Sequence, residues 1–361
     1  MGIIKKVKNL VHTIYSIRGD IAALSLEIEK LDINSIRGDI AALSLEIEKL
    51  DIRISELNDS RINVLNEKID ACSENTINNW LKLNHHDIVL GRLERNQISL
   101  RTAAGRIEGR QKKQGDNVEF QVFSQWGEDG IIQHIVQNIK LSNKTFVEFG
   151  VENYTESNTR FLVVNNGWSG LVMDGDAENI EYIKNDPIYW TYNVKPVRAF
   201  ITAENINDLC RENGFTGKIG LLSIDIDGND YWVWKAIDVV DPDIVICEYN
   251  PRFGDKKAVT IPYDPEWTRF KGHYSGIYFG ASIRALTKLG NEKGYALVYG
   301  NEANLFFVKR ELLNDVIHEC SVESAYHKNG YQDSRDKDGR LNRISYQEEQ
   351  EILRNLPFIE V

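Results

Sequence analysis

Cysteine is scarce and scattered. The 361 residues include four, Cys72, Cys210, Cys247 and Cys320, and no C-x-x-C pair. That excludes a zinc knuckle and a disulfide framework, and it suits a reducing compartment. No stretch of 18 apolar residues exists, so the sequence offers no membrane-spanning helix. The opening MGIIKKVKNLVHTIY is basic and mildly amphipathic, but it lacks the apolar core and small-residue cleavage site of a secretory signal. Gly2 is present, yet Lys6 stands where a myristoylation signal wants Ser or Thr. These absences predict a cytoplasmic protein whose basic start makes no more than a weak contact with an anionic membrane surface. Positive charge is also short. The net charge is -11; residues 1–115 hold 18 Lys/Arg against 16 Asp/Glu, and residues 116–361 hold 25 against 38. An acidic globular part argues against binding to a phosphate backbone, so nucleic acid is not an expected partner. A small-molecule or sugar substrate fits better.

What is present falls into two parts, 1–115 and 116–361. Residues 16–34, SIRGDIAALSLEIEKLDIN, are repeated almost unchanged as residues 35–53. In the second copy and beyond, Ile40, Ile47 and Ile54 alternate with Leu43, Leu50 and Leu57 at spacings of three and four. That is a coiled-coil seam, and β-branched a positions with Leu at d favour a parallel two-stranded coil. Nineteen is not a multiple of seven, so the seam slips around Asp32–Ser35, where the helix is distorted or broken. The first part is therefore read as a helical, homo-oligomerising coiled coil that runs into a polar linker at 105–116. Arg-Gly-Asp occurs twice, at 18–20 and 37–39, inside the helical repeat, and is read as coil surface. His85 and His86 lack partners for a metal and are read as surface residues.

From residue 116 the period changes. Apolar runs predict strands at Thr145–Phe149, Leu171–Asp174, Val194–Arg198, Gly220–Asp225 and Ile244–Glu248. Two more are plausible at Ala296–Tyr299 and Leu305–Val308. Helical stretches such as Gly127–Ile139 and Ala203–Asn213 lie between them. This alternation predicts an α/β domain, a doubly wound and mostly parallel sheet whose site lies at the carboxyl ends of its strands.

The first strand ends Glu148-Phe149-Gly150-Val151-Glu152. A single Gly after the strand lets the chain turn beside a ligand. The dinucleotide fingerprint G-x-G-x-x-G is absent, which disfavours a pyrophosphate-bearing nucleotide. A nucleoside with a cationic sulfonium wants carboxylates instead, and Glu148 and Glu152 suit it; a structural turn is an equal reading. Asp174 closes the second strand, where a carboxylate can accept ribose hydroxyls. Asp176 is the alternative, or a helix cap. Asp225, Asp227, Glu248 and Asn250 end the fourth and fifth strands. Together they offer an oxygen-only Mg²⁺ site, or hydrogen bonds to a cofactor and a sugar hydroxyl. His273 is the general-base candidate, because its ordinary pKa suits hydroxyl deprotonation near neutral pH. Trp232 and Trp234 flank the acidic loop and read as core aromatics or sugar-stacking faces.

Ordered motifs then carry a resemblance. SQWGEDG (124–130), FVEFGVENYTESNTRFL (146–162), GWSGLVMDGD (167–176) and LLSIDIDGNDYWVW (221–234) look like the FkbM-like methyltransferases. IPYDPEW (261–267), HYSGIYFGASIRALTKLG (273–290) and NLFFVKREL (304–312) extend the likeness, which spans about residues 120–315. It implies a Rossmann-like, seven-stranded methyltransferase fold, S-adenosylmethionine as donor and O-methylation, commonly of sugars and of glycolipid or polysaccharide precursors. Glu148 and Gly150 would form the cofactor loop, Asp174 the ribose contact, and Asp225 the strand-four acid near the donor methionine. Asn153-Tyr154 stands where a small, Gly-bearing turn is usual, and is expected to crowd the cofactor's approach. Methyl transfer itself needs alignment of the acceptor oxygen and removal of its proton, so Asp225 and His273 suffice as catalytic groups. The rival readings are a non-catalytic coiled-coil scaffold with a degenerate methyltransferase-like domain and, less well supported, a metal-dependent glycosyltransferase.

Overall fold

The computed structural model describes residues 88–96 and 118–361, except residue 331. All belong to the second of two compact units, Lys82–Val361. The tandem repeat, the coiled-coil seam, His85-His86 and the expected boundary near 115 lie outside the described residues.

The core is a seven-stranded sheet in the order β3-β2-β1-β4-β5-β8-β7. Its strands are β1 (Thr145–Phe149), β2 (Ser169–Asp174), β3 (Val194–Arg198), β4 (Gly217–Ile224), β5 (Val240–Glu248), β7 (Tyr295–Gly300) and β8 (Asn304–Lys309). β1 to β5 are mutually parallel, while β8 runs antiparallel to both β5 and β7. The doubly wound, mostly parallel sheet expected from the alternation of apolar runs is therefore present. Each expected strand is found, with β4 and β5 starting three and four residues earlier than their apolar runs suggested.

The strands are buried on both faces, so their sequences are near-continuous apolar runs. Successive side chains point to opposite faces. Val147, Phe149, Leu171, Met173 and Leu222 join one core, with Trp234 and Phe307. Phe146, Val172, Leu221 and Ile244 join the other, with Ile131 and Trp168. Trp234 is 1% exposed and its ring lies 4.9 Å from that of Phe307. Trp232 is partly buried, and its Nε1 donates to the Ile261 carbonyl at 2.9 Å. Both tryptophans take the core reading.

Strand order reverses beside β1, which feeds β2 on one side and neighbours β4 on the other. A sheet of this kind leaves a crevice at that point, outside the carboxyl ends of its strands. The chain ends are tied back over the same end of the sheet. β6 (Val259–Thr260) pairs with β9 (Ile359–Glu360), and a third core joins Ile261, Ile277 and Tyr278 to Leu353. The helix Tyr346–Arg354 begins with a capping box between Ser345 and Glu348. Among the described residues no helix is long and apolar enough to cross a membrane.

A buried ion pair fixes the loop that follows β1. Arg160 opens the helix Arg160–Asn166 and holds Asp186 at 2.8 Å, with side chains only 6% and 3% exposed. Its other arm donates to the Tyr154 carbonyl at 3.1 Å, and Asp186 also accepts from the Ile188 amide. Replacing Arg160 by Met strands a buried carboxylate. Denaturant unfolding of the full chain is expected to show a loss of about 3–5 kcal/mol; a change under about 1 kcal/mol would show that the pair holds nothing.

Candidate functional site

A cavity of about 360 Å³ opens at the switch point. Its lining includes Glu148, Gly150, Glu152, Asp174, Asp225, Asp227 and Glu248, all named from the sequence as site candidates. Asn250 and His273 are not part of the lining.

Gly150 makes the cavity possible. Its φ is +75°, and a Cβ there would stand 1.4 Å from the Asp225 carbonyl oxygen. Its amide donates to the Met173 carbonyl at 2.9 Å, so the loop leaving β1 threads between the ends of β2 and β4. No residue with a side chain fits this passage.

Glu148 and Asp174 hold the next segment. The Glu148 carboxyl accepts from the amides of Asn158 and Thr159 at 3.0 and 3.2 Å, and from the Thr159 hydroxyl. Burial pushes its pKa up to about 6. Its main work is to fasten the far end of the loop. Asp174 accepts from the Glu152 amide at 2.9 Å, the Asp176 amide at 2.8 Å and Asn179 Nδ2 at 3.1 Å. A carboxylate has about four lone-pair sites, so roughly one stays open toward the cavity. Asp176 caps the helix Ala177–Asn185 through the Glu178 amide. Glu152 lies beside Asp174 at φ 47°, and burial together with the charges of Asp174 and Asp227 raises its pKa.

Asn153 and Tyr154 do not crowd the cavity, contrary to expectation. Asn153 folds onto its own turn, where Oδ1 accepts from the Thr155 amide at 3.1 Å. Tyr154 is fully buried in the core, its hydroxyl 2.8 Å from Thr159 Oγ1. At φ 65° the backbone swings the ring beneath the sheet end instead of over it.

The three aspartates after β4 divide their labour. Asp230 closes the loop by accepting from the Ile226 and Gly228 amides, both at 2.9 Å, and burial pushes its pKa up to about 6. Asp227 pairs with Arg269 Nη1 at 3.0 Å. Asp225 hydrogen-bonds the Glu248 side chain; burial and mutual repulsion hold both carboxyls well above the usual carboxylate range. Such a pair keeps a shared proton. Asn250, named from sequence as a metal ligand, is spent elsewhere. Its Nδ2 donates to the carbonyls of Ile277 and Phe279 at 2.9 and 3.0 Å, and its Oδ1 accepts from the Arg252 amide. Among the described residues no group of three or more His, Cys, Asp or Glu side chains is arranged to hold a metal ion. With one donor withdrawn, one ion-paired and two sharing a proton, this set does not fit the oxygen cage that Mg²⁺ requires.

His273 follows the short helix Arg269–Gly272, and its Nδ1 lies 2.6 Å from Ser275 Oγ. Burial lowers its pKa, and its ring stacks 4.3 Å from Tyr274. The cation on the lining is Arg269, four residues earlier, which gave no sequence signal. Phe200, half exposed beyond β3, and the Glu128–Asn304 contact at 3.1 Å were also not foreseen. The latter pair lies within the motifs at 124–130 and 304–312, which were recognised as motifs without a role for either residue.

No family model and no curated protein matches the chain. Solved structures that resemble it include the N-terminal domain of EvdMO1 with S-adenosylhomocysteine bound, at 12% identity, covering 51% of this chain and 79% of that one, with a TM-score of 0.34. A S-adenosylmethionine-dependent methyltransferase from Clostridium acetobutylicum is 10% identical over 50% of this chain and 90% of its own, with a TM-score of 0.33. The Bacillus cereus O-methyltransferase in complex with S-adenosylhomocysteine is 15% identical over 50% and 78%, with a TM-score of 0.31. Scores this low carry no weight for fold or function, and the strand order stands on its own hydrogen-bond register.

Two outcomes follow from this geometry. Gly150→Ala collides with the Asp225 carbonyl and is expected to cost about 3 kcal/mol or more in urea unfolding; unchanged stability would show that the passage is wider than described. Glu148, raised from 4.5 to about 6, binds its proton more tightly folded than unfolded. Its contribution to stability is therefore full below pH 4.5 and fades as pH climbs through about 6, by about 2 kcal/mol. The Glu148→Gln variant should lose that part of the slope when unfolding is followed from pH 4 to pH 7; a slope identical to wild type refutes the assignment.

Proposed function

We propose that this chain is an S-adenosylmethionine-dependent O-methyltransferase, acting on a sugar hydroxyl of a glycan or glycoconjugate precursor. The observation that carries the reading is the acid-lined cavity at the switch point, entered past Gly150 and bounded by Asp174 at the end of β2. A phosphate-bearing nucleotide is poorly served there, because one guanidinium and eight carboxyl groups line the space. A nucleoside carrying a positive sulfonium is well served. Asp174 retains a lone pair for a ribose hydroxyl, and Phe200 offers an apolar plate at the same rim.

When bound, S-adenosylmethionine supplies a methyl group already activated by its sulfonium. The chain's own residues must orient the acceptor and accept its proton. The Asp225–Glu248 pair is suited to that second task, since a carboxyl held above its usual range is a better base. The methyl group passes to the acceptor oxygen and the hydroxyl proton passes to this pair. His273, outside the lining, is not assigned the role. The scaffold alternative drew on the expected crowding by Asn153-Tyr154, and that support is gone. Homo-oligomerisation through residues 1–115, a cytoplasmic location and a weak membrane-surface contact are part of the same proposal.

Calorimetry of the intact protein with S-adenosylhomocysteine tests the reading. Binding is expected, and Asp174→Ala should weaken it by about ten- to a hundredfold, the worth of a hydrogen bond to a charged group. An intact protein that gives no binding heat, and no thermal stabilisation by the same compound, would refute the methyltransferase reading.

A further inference from the structure

Arg269 is the cation on the cavity wall, and it arrives already paired. Its Nη1 donates to Asp227 at 3.0 Å, its Nη2 to Asp333 at 2.5 Å and its Nε to the Gly276 carbonyl at 2.7 Å. Its guanidinium also stacks over the Phe279 ring at 4.3 Å. Three of five N–H groups and one face are therefore consumed before any ligand enters. Asp333 comes from the C-terminal segment, beyond the reach of the FkbM-like resemblance. It is not a loose surface acid. Its other oxygen binds Arg252, which is 1% exposed and is held in turn by Glu349 of the helix Tyr346–Arg354 at 3.1 Å.

Two lining side chains complete the pattern. Asn229 is 3% exposed and Asn304 is 5% exposed, and both reach the cavity. Their amide nitrogens are committed, Asn229 to the Asp264 carbonyl at 2.8 Å and Asn304 to the Glu128 carboxylate at 3.1 Å. Those partners fix the amide orientation, since a flip would set oxygen against oxygen. Oδ1 of each is left with no donor in the protein. A buried acceptor without a donor is costly, and a ligand that brings hydroxyl donors relieves the cost.

We propose that Asp333 is a specificity-determining positioning residue: by locking Arg269 it leaves the cavity lined with unpaired hydrogen-bond acceptors and closed to anions. The acceptor class is then uncharged and rich in hydroxyl groups, and phosphorylated or carboxylated acceptors are refused. This rests on the methyltransferase reading for the word acceptor. The charge filter itself belongs to the cavity and can be tested without cofactor.

The probe is inorganic phosphate, titrated into the full chain and followed by calorimetry and by ³¹P line width. Wild type is expected to show no binding. Asp333→Asn, which keeps the side-chain shape but removes the charge, should gain phosphate binding by at least about tenfold, because Arg269 regains a free positive charge. Asp227→Asn, acting on the same guanidinium from its other side, should give the same gain if Asp333→Asn folds poorly. The double variant Asp333→Asn/Arg269→Gln should lose the gain, which a merely structural role for Asp333 would not produce. Phosphate binding by wild type that Arg269→Gln abolishes, or no gain in either single variant, overturns the proposal. S-adenosylhomocysteine binding by the same samples is read separately, so a failed cofactor reading and a failed charge filter give different results.

Discussion

The structure depends on a close approach of two backbones. The loop leaving β1 passes the carbonyl of Asp225 so closely that only a hydrogen can stand at the Cα of Gly150. That contact sets how far the ends of β1 and β4 separate, and this separation is the floor of the cavity. It also explains the unusual backbone nearby. Glu152, Tyr154 and Asp227 all take positive φ, a conformation rare for residues with side chains. Each is pinned by a neighbouring contact: Glu152 by Asp174, Tyr154 by Thr159, Asp227 by Arg269. The strain is local and held by named bonds, as is usual where a chain is shaped around a ligand.

The site is rich in carboxyl groups, but few of them are available to a ligand. Glu148 and Asp230 spend their oxygens on backbone amides, and Asp227 spends one on a guanidinium. Asp129, further from the cavity, does the same for the amides of residues 122–124. A buried carboxyl serving amides acts as a fastener for loops that have no regular hydrogen-bond ladder. What remains for chemistry is Asp174, with one open lone pair, and the proton-sharing pair of Asp225 and Glu248. A count of acids at strand ends overstates the catalytic equipment; the hydrogen-bond ledger of each acid corrects it.

The fold was largely legible, because a strand buried on both faces must be written as an apolar run. β1 and β3 fall on the expected residues, Thr145–Phe149 and Val194–Arg198. β4 and β5 begin with Gly217-Lys218 and Val240-Asp241-Pro242, which read as turns until the neighbouring strand pairs with them. The two-residue strands β6 and β9 exist only through each other and leave no local pattern. In the site, Glu148, Gly150, Asp174 and Asp225 were found because topology puts strand ends together. Asn250 and His273 were misplaced because residue type says nothing about where a side chain points. Arg269 was invisible for a related reason: its partner Asp333 lies 64 residues away in the chain.

The two halves of the cavity answer to different parts of the sequence. The half over β1, β2 and β3 is built from strand ends and their immediate loops, within the motifs that carry the resemblance. The half over β4, β5 and β8 takes its charge balance from Arg269, and Arg269 is held by Asp333 from a segment those motifs do not include. A fold can keep the first half fixed while the second changes with the C-terminal segment, since the sheet does not depend on it. The bridging chain Glu349–Arg252–Asp333–Arg269–Asp227 alternates in sign along its length. Each buried charge in it is compensated by its neighbours, so altering one member shifts the charge presented at the cavity while leaving the hydrophobic cores untouched. Selectivity in this chain is therefore set at the end of the polypeptide, away from the strand that anchors the site.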